Sequence, residues 1–190
     1  MLVVGSWLLG DRLIRVIAGT AKGRKLETPT WPGLRPTSDR LRETLFNILA
    51  PRIAGARVLD GYAGTGALGI EALSRGAAHV TFVERDPRAV RLIRDNLTRA
   101  GIEDAKACNI VRAGLVQAAS DHGDDLFDLV LLDPPYDDRH LDAAIEAASG
   151  ILRDDGVIVL EHASRAEPPQ GAVRTVKAGD SSLSFYRKRS

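Results

Sequence analysis

From Arg57 to the C-terminus, short apolar runs alternate with longer segments in which apolar residues recur at helical spacing. Continuous apolar runs are typical of strands that are buried on both faces of a parallel sheet. The alternation therefore predicts βαβ units and an α/β fold. The predicted strands are Val58-Leu59, Val80 to Val83, Phe127 to Leu132 and Val157 to Leu160, and the predicted helices are Ala67 to Ser74, the segment between Asp86 and Gly101, and Leu141 to Ser149.

The helix that follows Asp86-Pro87 has both of its ends marked in the sequence. Aspartate is a favoured N-cap, and proline is favoured in the first turn, where a backbone N–H would have no helical partner. Val90, Ile93 and Leu97 form one apolar stripe, and Gly101 stands where helices commonly end in the left-handed conformation. We therefore expect this helix to pack on the sheet and to end at Gly101.

Two hairpins are predicted to flank this region, one basic and one at the end of the chain. A helix is also expected from the N-cap Ser38 to about Ala50, with its apolar residues on one face. The predicted hairpin strands are Leu13 to Ala18 with Gly23 to Leu26, and Val173 to Val176 with Leu183 to Tyr186 around Gly179-Asp180.

The length of 190 residues suits a single domain. We predict an extension of unknown role over residues 1–12 and one domain over residues 13–190. Within this domain, residues 13–36 form the N-terminal basic hairpin and loop, and residues 37–190 form a Rossmann-like core. The apolar part of the extension, residues 1–10, is shorter than the roughly 20 residues that span a bilayer, and it lacks the basic leading region of a secretory signal.

Composition indicates the class of protein and excludes some kinds of site. Hydrophobic residues make up 44% of the chain and charged residues 27%, as in ordinary globular proteins. Cys108 is the only cysteine, so an intrachain disulfide and a cysteine metal cluster are excluded, and a reducing, cytoplasmic compartment is expected. The four histidines show no pairing at metal-ligand spacing, so we expect no metal site.

Charge is distributed unevenly although the net charge is only +1. From Arg12 to Arg42 there are eight cations and two acidic residues, which gives 8 − 2 = +6. One interpretation is a solvated charged face, and the other is a surface that contacts RNA phosphates. A second cluster, Arg187-Lys188-Arg189, closes the chain. The candidate RNA-binding residues are Arg15, Lys22, Arg24, Lys25, Arg35 and Arg40.

A glycine-rich loop, Asp60-Gly61-Tyr62-Ala63-Gly64-Thr65-Gly66, joins the first core strand to a helix. Glycines in this position permit a tight turn and a close approach of the backbone to a ligand, for a dinucleotide or for S-adenosylmethionine. Asp60 discriminates between them, because its carboxylate opposes a pyrophosphate but suits the ammonium and sulfonium of S-adenosylmethionine. Glu84, at the end of the next strand, can accept hydrogen bonds from two ribose hydroxyls of either cofactor. The predicted cofactor contacts here are Asp60, Gly61, Tyr62, Gly64, Gly66 and Glu84.

The motif Asp133-Pro134-Pro135-Tyr136 follows a buried strand, where open parallel sheets place their ligand groups. A simple turn is the alternative, since prolines mark turns. The Asp133 carboxylate and the Pro134 carbonyl can accept hydrogen bonds from an exocyclic amine, and prolines offer no competing N–H. Tyr136 can stack on an extruded base. All four residues are therefore candidate catalytic residues for methylation of an amine, a reaction that depends mainly on orientation and desolvation.

From about Ile14 to Arg187 the chain resembles the RsmD family, the 16S rRNA guanine-N2 methyltransferases of the class I S-adenosylmethionine-dependent superfamily. The glycine loop and the proline motif are shared by many methyltransferases, whereas the segment from Arg35 to Arg40 and the tail are more specific. The segments that carry the resemblance are Arg15 to Gly19, Arg35 to Arg40, Leu59 to Arg75, Asp133 to Tyr136 and Gly179 to Leu183.

The resemblance implies a seven-stranded, mostly parallel sheet with an antiparallel last strand. It implies cofactor contacts from Asp60, Gly64, Gly66 and Glu84, joined near the methionine end by Thr37 or Ser38. Asp133 and Tyr136 would take the target amine and base, and the substrate would be the small ribosomal subunit or its precursor. The stretch from Val111 to Gly114 departs from the superfamily pattern, because it lacks an acidic side chain for the adenine amine.

Three other functions remain open on the sequence. The proline motif recognises an amine rather than a base, so an N6-adenine methyltransferase on DNA or RNA is the first alternative. The second is a nicotinamide-dependent oxidoreductase that uses the glycine loop. The third is a non-catalytic RNA-binding assembly factor. We expect a monomer that binds ribosomal RNA and no membrane.

Overall fold

The computed structural model describes residues 13–29, 31, 39–102, 104, 106–121, 126–135, 138 and 140–188. The predicted extension 1–12 and the predicted site residues Arg35, Thr37, Ser38 and Tyr136 lie outside them. The strands are β1 (Leu13–Arg15), β2 (Lys25–Glu27), β3 (Arg57–Gly61), β4 (His79–Val83), β5 (Cys108–Val111), β6 (Phe127–Leu132), β7 (Leu152–Ala163), β8 (Arg174–Ala178) and β9 (Ser181–Tyr186). The helices are α1 (Asp39–Ile53), α2 (Ala67–Ser74), α3 (Pro87–Ala100), α4 (Leu115–Asp121) and α5 (Leu141–Gly150).

The central sheet has seven strands in the order β5-β4-β3-β6-β7-β9-β8. Strands β3 to β7 pair in parallel, and β9 runs antiparallel to both of its neighbours, β7 and β8. The α/β fold, with its mostly parallel sheet and antiparallel last strand, is thus confirmed. The separate basic hairpin is confirmed as a two-stranded sheet of β1 and β2.

The sheet is covered on both faces, which explains the continuous apolar runs of its central strands. One face packs against α1, α2, part of α3 and the hairpin, and the other packs against α4 and α5. The helix α3 has the predicted ends: Asp86 caps it by accepting from the N–H of Arg88, and Gly101 ends it with φ 73°. No helix in the described part of the chain is long and apolar enough to cross a membrane.

Two elements were not located from the sequence, the edge strand β5 and the short helix α4. Strand β5 has only one neighbour, β4, and its residues are partly or fully exposed, so polar Asn109 interrupts its apolar run. The helix α1 also extends past the predicted end at Ala50 to Ile53. Burial of Ile53 in the core holds this last turn despite Pro51.

The hairpin strands are shorter than predicted, because α2 takes the backbone groups that a longer β1 would use. The Glu71 carboxylate accepts from the N–H groups of Ile17 (2.7 Å) and Ala18 (3.0 Å). Ser74, at the end of α2, donates from Oγ to the Ala18 carbonyl (2.5 Å) and accepts at its own carbonyl from the N–H of Thr20 (2.8 Å). The hairpin is therefore hydrogen-bonded along α2 and does not extend away from the core.

Arg42 belongs to the basic run of the sequence but lies fully buried beneath the hairpin. Its Nη2 donates to the Arg15 carbonyl (2.8 Å) and to Asp39 (2.7 Å), and its Nη1 lies 3.8 Å from the Glu71 carboxylate. Glu71 also pairs with Arg75 at 2.6 Å. Arg42 is therefore a structural cation, and the count of +6 overstates the charge that this segment presents to a ligand.

Gly19 and Gly23 form a matched pair of positions in the hairpin turn, with φ of 82° and 83°. A Cβ at Gly19 would lie 1.7 Å from the Ser74 carbonyl oxygen, whereas a Cβ at Gly23 would have nothing within 4 Å. Both alanine variants carry the left-handed backbone penalty of about 1 to 2 kcal/mol, and Gly19→Ala adds an overpacking cost of roughly 1 to 3 kcal/mol. We expect urea unfolding to show the larger loss for Gly19→Ala. Equal losses would contradict the tight docking of the hairpin.

Candidate functional site

The carboxyl ends of three adjacent strands bring the predicted site residues together. The register aligns Gly61 at the end of β3 with Val83 of β4 on one side and with Leu132 of β6 on the other. The residues that follow these strand ends, Glu84 and Asp133, therefore flank the start of the glycine loop. Open parallel sheets bind ligands at this edge.

The glycine loop makes a compact turn between β3 and α2. The N–H of Ala63 donates to the Val83 carbonyl (3.0 Å), and the N–H of Gly66 donates to the Ala63 carbonyl (2.7 Å). Gly64 and Gly66 have φ of 54° and 76°, a region that favours glycine. A Cβ at Gly66 would also lie 3.3 Å from the side chain of Ile93 on α3. These glycines let the backbone approach both α3 and a ligand.

Asp60 is the most deeply buried acid at this edge, with only 1% of its surface exposed. Its Oδ2 accepts a hydrogen bond from the N–H of Gly69 in the first turn of α2 (2.8 Å). Burial raises the pKa of the Asp60 carboxyl well above its usual value; the bond from Gly69 opposes this, and the charges of Asp133 and Glu84 raise the pKa further. Three carboxyl groups thus lie close together in the site, and a cationic ligand would stabilise their charged forms.

Glu84 holds the glycine loop in place with its carboxylate. Its Oε2 accepts from the N–H of Gly64 (2.9 Å), and its Oε1 accepts from the N–H of Asp86 (2.8 Å). Each carboxylate oxygen can accept more than one hydrogen bond, so a ribose diol can be bound in addition to these backbone groups. Glu84 is therefore suited both to shape the loop and to bind a ribose.

Tyr62 connects the glycine loop to the segment that follows the proline motif. Its φ of 67° is unusual for a residue other than glycine, and such strain is often found at ligand sites. Burial raises the pKa of Tyr62 to about 12, and the charge of Asp138 and a hydrogen bond to its carboxylate contribute to the rise. Tyr62 thus joins the glycine loop directly to Asp138, which follows the proline motif.

The described part of the proline motif, Asp133 to Pro135, directly follows the end of β6. Asp133 is partly buried, Pro134 is buried and Pro135 is exposed. The Pro135 carbonyl accepts from the N–H of Asp138 (2.9 Å), and Asp138 in turn accepts from the N–H of His140 (2.8 Å) just before α5. Asp60 aligns with Leu131 in the register of β3 and β6, so Asp133, two residues beyond Leu131, lies beside the start of the glycine loop.

Asn96 is a site-supporting residue that the sequence analysis did not identify. It is fully buried on α3, where its Nδ2 donates to the carbonyls of Thr65 (2.9 Å) and Glu27 (3.0 Å) and its Oδ1 accepts from the N–H of Glu27 (2.8 Å). It therefore connects the glycine loop to strand β2 of the hairpin. The sequence could have indicated this role, because Asn96 lies beside the apolar stripe of α3 and a buried polar side chain requires hydrogen-bond partners.

The candidate RNA-binding residues in the described part of the chain are exposed. Those of the hairpin turn lie away from the carboxylate site. The hairpin turn lies against Ser74, at the end of α2 opposite the glycine loop, and α2 is roughly 12 Å long. Arg187 and Lys188 lie beside the start of β7, where Arg187 donates to the Asp155 carbonyl (2.9 Å) and Lys188 pairs with Asp154 (2.8 Å). The exposed candidates are Arg15, Lys22, Arg24, Lys25 and Arg40.

The donor set fits S-adenosylmethionine better than a dinucleotide. A pyrophosphate would add negative charge beside Asp60, whose pKa is already raised by burial and further by the charges of Asp133 and Glu84, whereas an ammonium or sulfonium would neutralise that charge. Glu84 suits the ribose, and the glycines leave room for the ligand. Within the described residues, no group of three His, Cys, Asp or Glu side chains is placed to hold a metal ion.

Known proteins are similar to this chain over most of its length. The family model described as "Conserved hypothetical protein 95" matches residues 14–187. Ribosomal RNA small subunit methyltransferase D of Escherichia coli (strain K12) is 42% identical over 155 residues, which cover 80% of this chain and 76% of that protein.

Solved structures are similar to this chain in fold. A hypothetical protein of Thermus thermophilus has a TM-score of 0.76 at 32% identity, covering 92% of this chain and 99% of that one. The rRNA methyltransferase aviRa of Streptomyces viridochromogenes has a TM-score of 0.67 at 20% identity, covering 84% of this chain and 88% of that one, and it supports the fold alone.

Proposed function

The chain belongs to the family described as "Conserved hypothetical protein 95", and from this premise we propose that it methylates the exocyclic N2 amine of a guanine in small-subunit ribosomal RNA, with S-adenosylmethionine as methyl donor. The observation that carries the chemistry is the convergence of Asp60, Glu84 and Asp133 at three adjacent strand ends. The Escherichia coli relative named for small-subunit ribosomal RNA supports the substrate, and the resemblance to guanine-N2 methyltransferases supports the target amine.

Binding of the cofactor follows from the charges and lone pairs at the glycine loop. Asp60 offers a desolvated carboxylate to the cationic methionine part, and Glu84 offers carboxylate oxygens to the ribose hydroxyls. Thr37 or Ser38 is proposed to contact the methionine end. When bound, S-adenosylmethionine supplies an electrophilic methyl group on its sulfonium. The residues of this chain then have to orient the target amine towards that methyl group and exclude water.

Asp133 and the Pro134 carbonyl perform the orientation in this proposal. As hydrogen-bond acceptors, they hold the two N–H groups of the amine so that its lone pair turns out of conjugation with the ring. The amine nitrogen would accept the methyl group and release one proton towards the Asp133 carboxylate or water. Pro134 and Pro135 keep this backbone rigid, and Tyr136 stacks on the base.

The experiment is transfer of labelled methyl groups to small ribosomal subunits from cells that lack the enzyme, followed by mass spectrometry of the digested nucleosides. We expect N2-methylguanosine, and we expect Asp133→Ala to lower the rate by about 100-fold or more while cofactor affinity is retained. Asp154→Ala, a change of an exposed carboxylate near the start of β7 and away from the strand ends that form the site, is the matched control and should methylate normally.

Three outcomes would overturn this assignment in different ways. The appearance of N6-methyladenosine would change the target base while leaving the amine chemistry intact. Full activity of Asp133→Ala would remove the proline motif from the mechanism. A protein that binds RNA but transfers no methyl group would instead be an assembly factor.

The exposed cations of the hairpin are proposed to contact RNA phosphates. Reversing charge at Lys22, Arg24 and Lys25 should weaken RNA binding and make its dependence on salt shallower, because each lost phosphate contact removes about 0.7 to 0.9 from the logarithmic slope. Filter binding over a salt series measures both quantities, and calorimetry should show unchanged cofactor affinity. An unaltered RNA affinity and slope would exclude the hairpin from the RNA interface.

A further inference from the structure

The helices on the two sides of the sheet carry opposite charge. Helix α3 contains four arginines and one aspartate, 4 − 1 = +3, whereas α4 and α5 together contain three acidic residues and neither lysine nor arginine. The α3 side also holds the basic hairpin. An RNA backbone would be attracted to the α3 side and repelled from the α4 and α5 side.

The arginines of α3 fall into two groups. Arg88 is held by Asp86 (2.7 Å) and lies over the ring of Trp31 (5.0 Å), and Arg99 pairs with Glu27. Arg91 and Arg94 are exposed and take part in none of the ion pairs among the described residues. Arg91 and Arg94 therefore present positive charge at the surface of the described part of the chain.

The outer side of α3 continues into the hairpin. The pair Arg99 and Glu27 joins the helix to β2, and Asn96 binds both backbone groups of Glu27. Lys25 shares a strand face with Glu27, because side chains alternate along a strand. The Arg24 guanidinium reaches to 4.0 Å from the Cβ position of Gly101, at the end of α3. We call Arg24, Lys25, Arg91 and Arg94 the α3–hairpin surface.

This surface leads away from the carboxylate site. Helix α3 begins directly after Asp86, whose N–H is bound by Glu84, and it is roughly 21 Å long. Arg85, between these two residues, lies near enough to Tyr62 for its charge to lower the pKa of that hydroxyl against the larger effect of burial. Exposed arginines thus extend from the glycine loop along the helix to the hairpin.

We propose that the α3–hairpin surface binds the phosphate backbone of the RNA whose base is methylated, with Arg91 and Arg94 as phosphate contacts beyond the hairpin. The inference rests on the proposed function. RNA then crosses the α3 side of the sheet, and its target base enters the site at the strand ends. The length of the surface and its rigid attachment through Asn96 and Arg99 suit an extended stretch of RNA rather than one nucleotide.

The test compares Arg91→Glu/Arg94→Glu with Arg174→Glu/Lys177→Glu. The control pair has the same change in charge, and both of its residues are exposed on β8, at the sheet edge opposite β5. Binding of a small-subunit ribosomal RNA transcript is measured over a salt series. We expect the α3 variant to bind at least about tenfold more weakly at low salt, with a slope shallower by roughly 1.4 to 1.8.

The control pair should bind RNA as the unaltered protein does, and both variants should keep their affinity for S-adenosylmethionine. Normal RNA affinity and slope in the α3 variant, or an equal loss in the control, would overturn the proposed surface. If the unaltered protein methylates ribosomal RNA while either of these results is found, only the surface fails. If the unaltered protein neither binds nor methylates RNA, the proposed function and the surface fail together.

Discussion

The constraint on which the site depends is the burial of the Asp60 carboxylate, with Asp133 and Glu84 nearby. Its folded environment disfavours a negative charge through burial and through the nearby charges of Asp133 and Glu84, so the pKa of Asp60 is raised. Such an arrangement opposes stability unless a cation binds there. The same constraint explains why this glycine loop suits a sulfonium and an ammonium better than a pyrophosphate. The fold places the charge at the strand ends, and the charge selects the cofactor.

The hairpin contributes a second constraint because it is fixed to the helices. Glu71 and Ser74 bind its backbone along α2, and Asn96 ties β2 to both α3 and the glycine loop. If it binds RNA as proposed, a surface held this way has little freedom to adapt, so its charges must already match the substrate. The hairpin and the carboxylate site are connected through side chains of α2 and α3.

The sequence predicted the parts of the molecule that local rules control. The ends of α3 at Asp86 and Gly101 and the continuous apolar runs of β6 and β7 were correctly located. Features that depend on contacts between distant residues were predicted wrongly. Strand β1 is shorter than predicted because Glu71 accepts from the N–H groups that follow it, and Arg42, counted in the basic run, is buried in the core. The role of Asn96 could not be derived, because residues 65 and 27 meet only in the folded chain.

The most direct test of the central claim is a paired measurement on Asp60→Asn. Asparagine can still accept from the N–H of Gly69 but carries no charge, so the free variant should unfold at a higher temperature than the unaltered protein at neutral pH. This gain should shrink as pH falls through the raised pKa of Asp60, where the native carboxyl becomes protonated. Calorimetry should show S-adenosylmethionine binding about tenfold or more weakly. Lower stability with unchanged cofactor affinity would contradict a carboxylate that is strained in the free protein and relieved by the cationic donor.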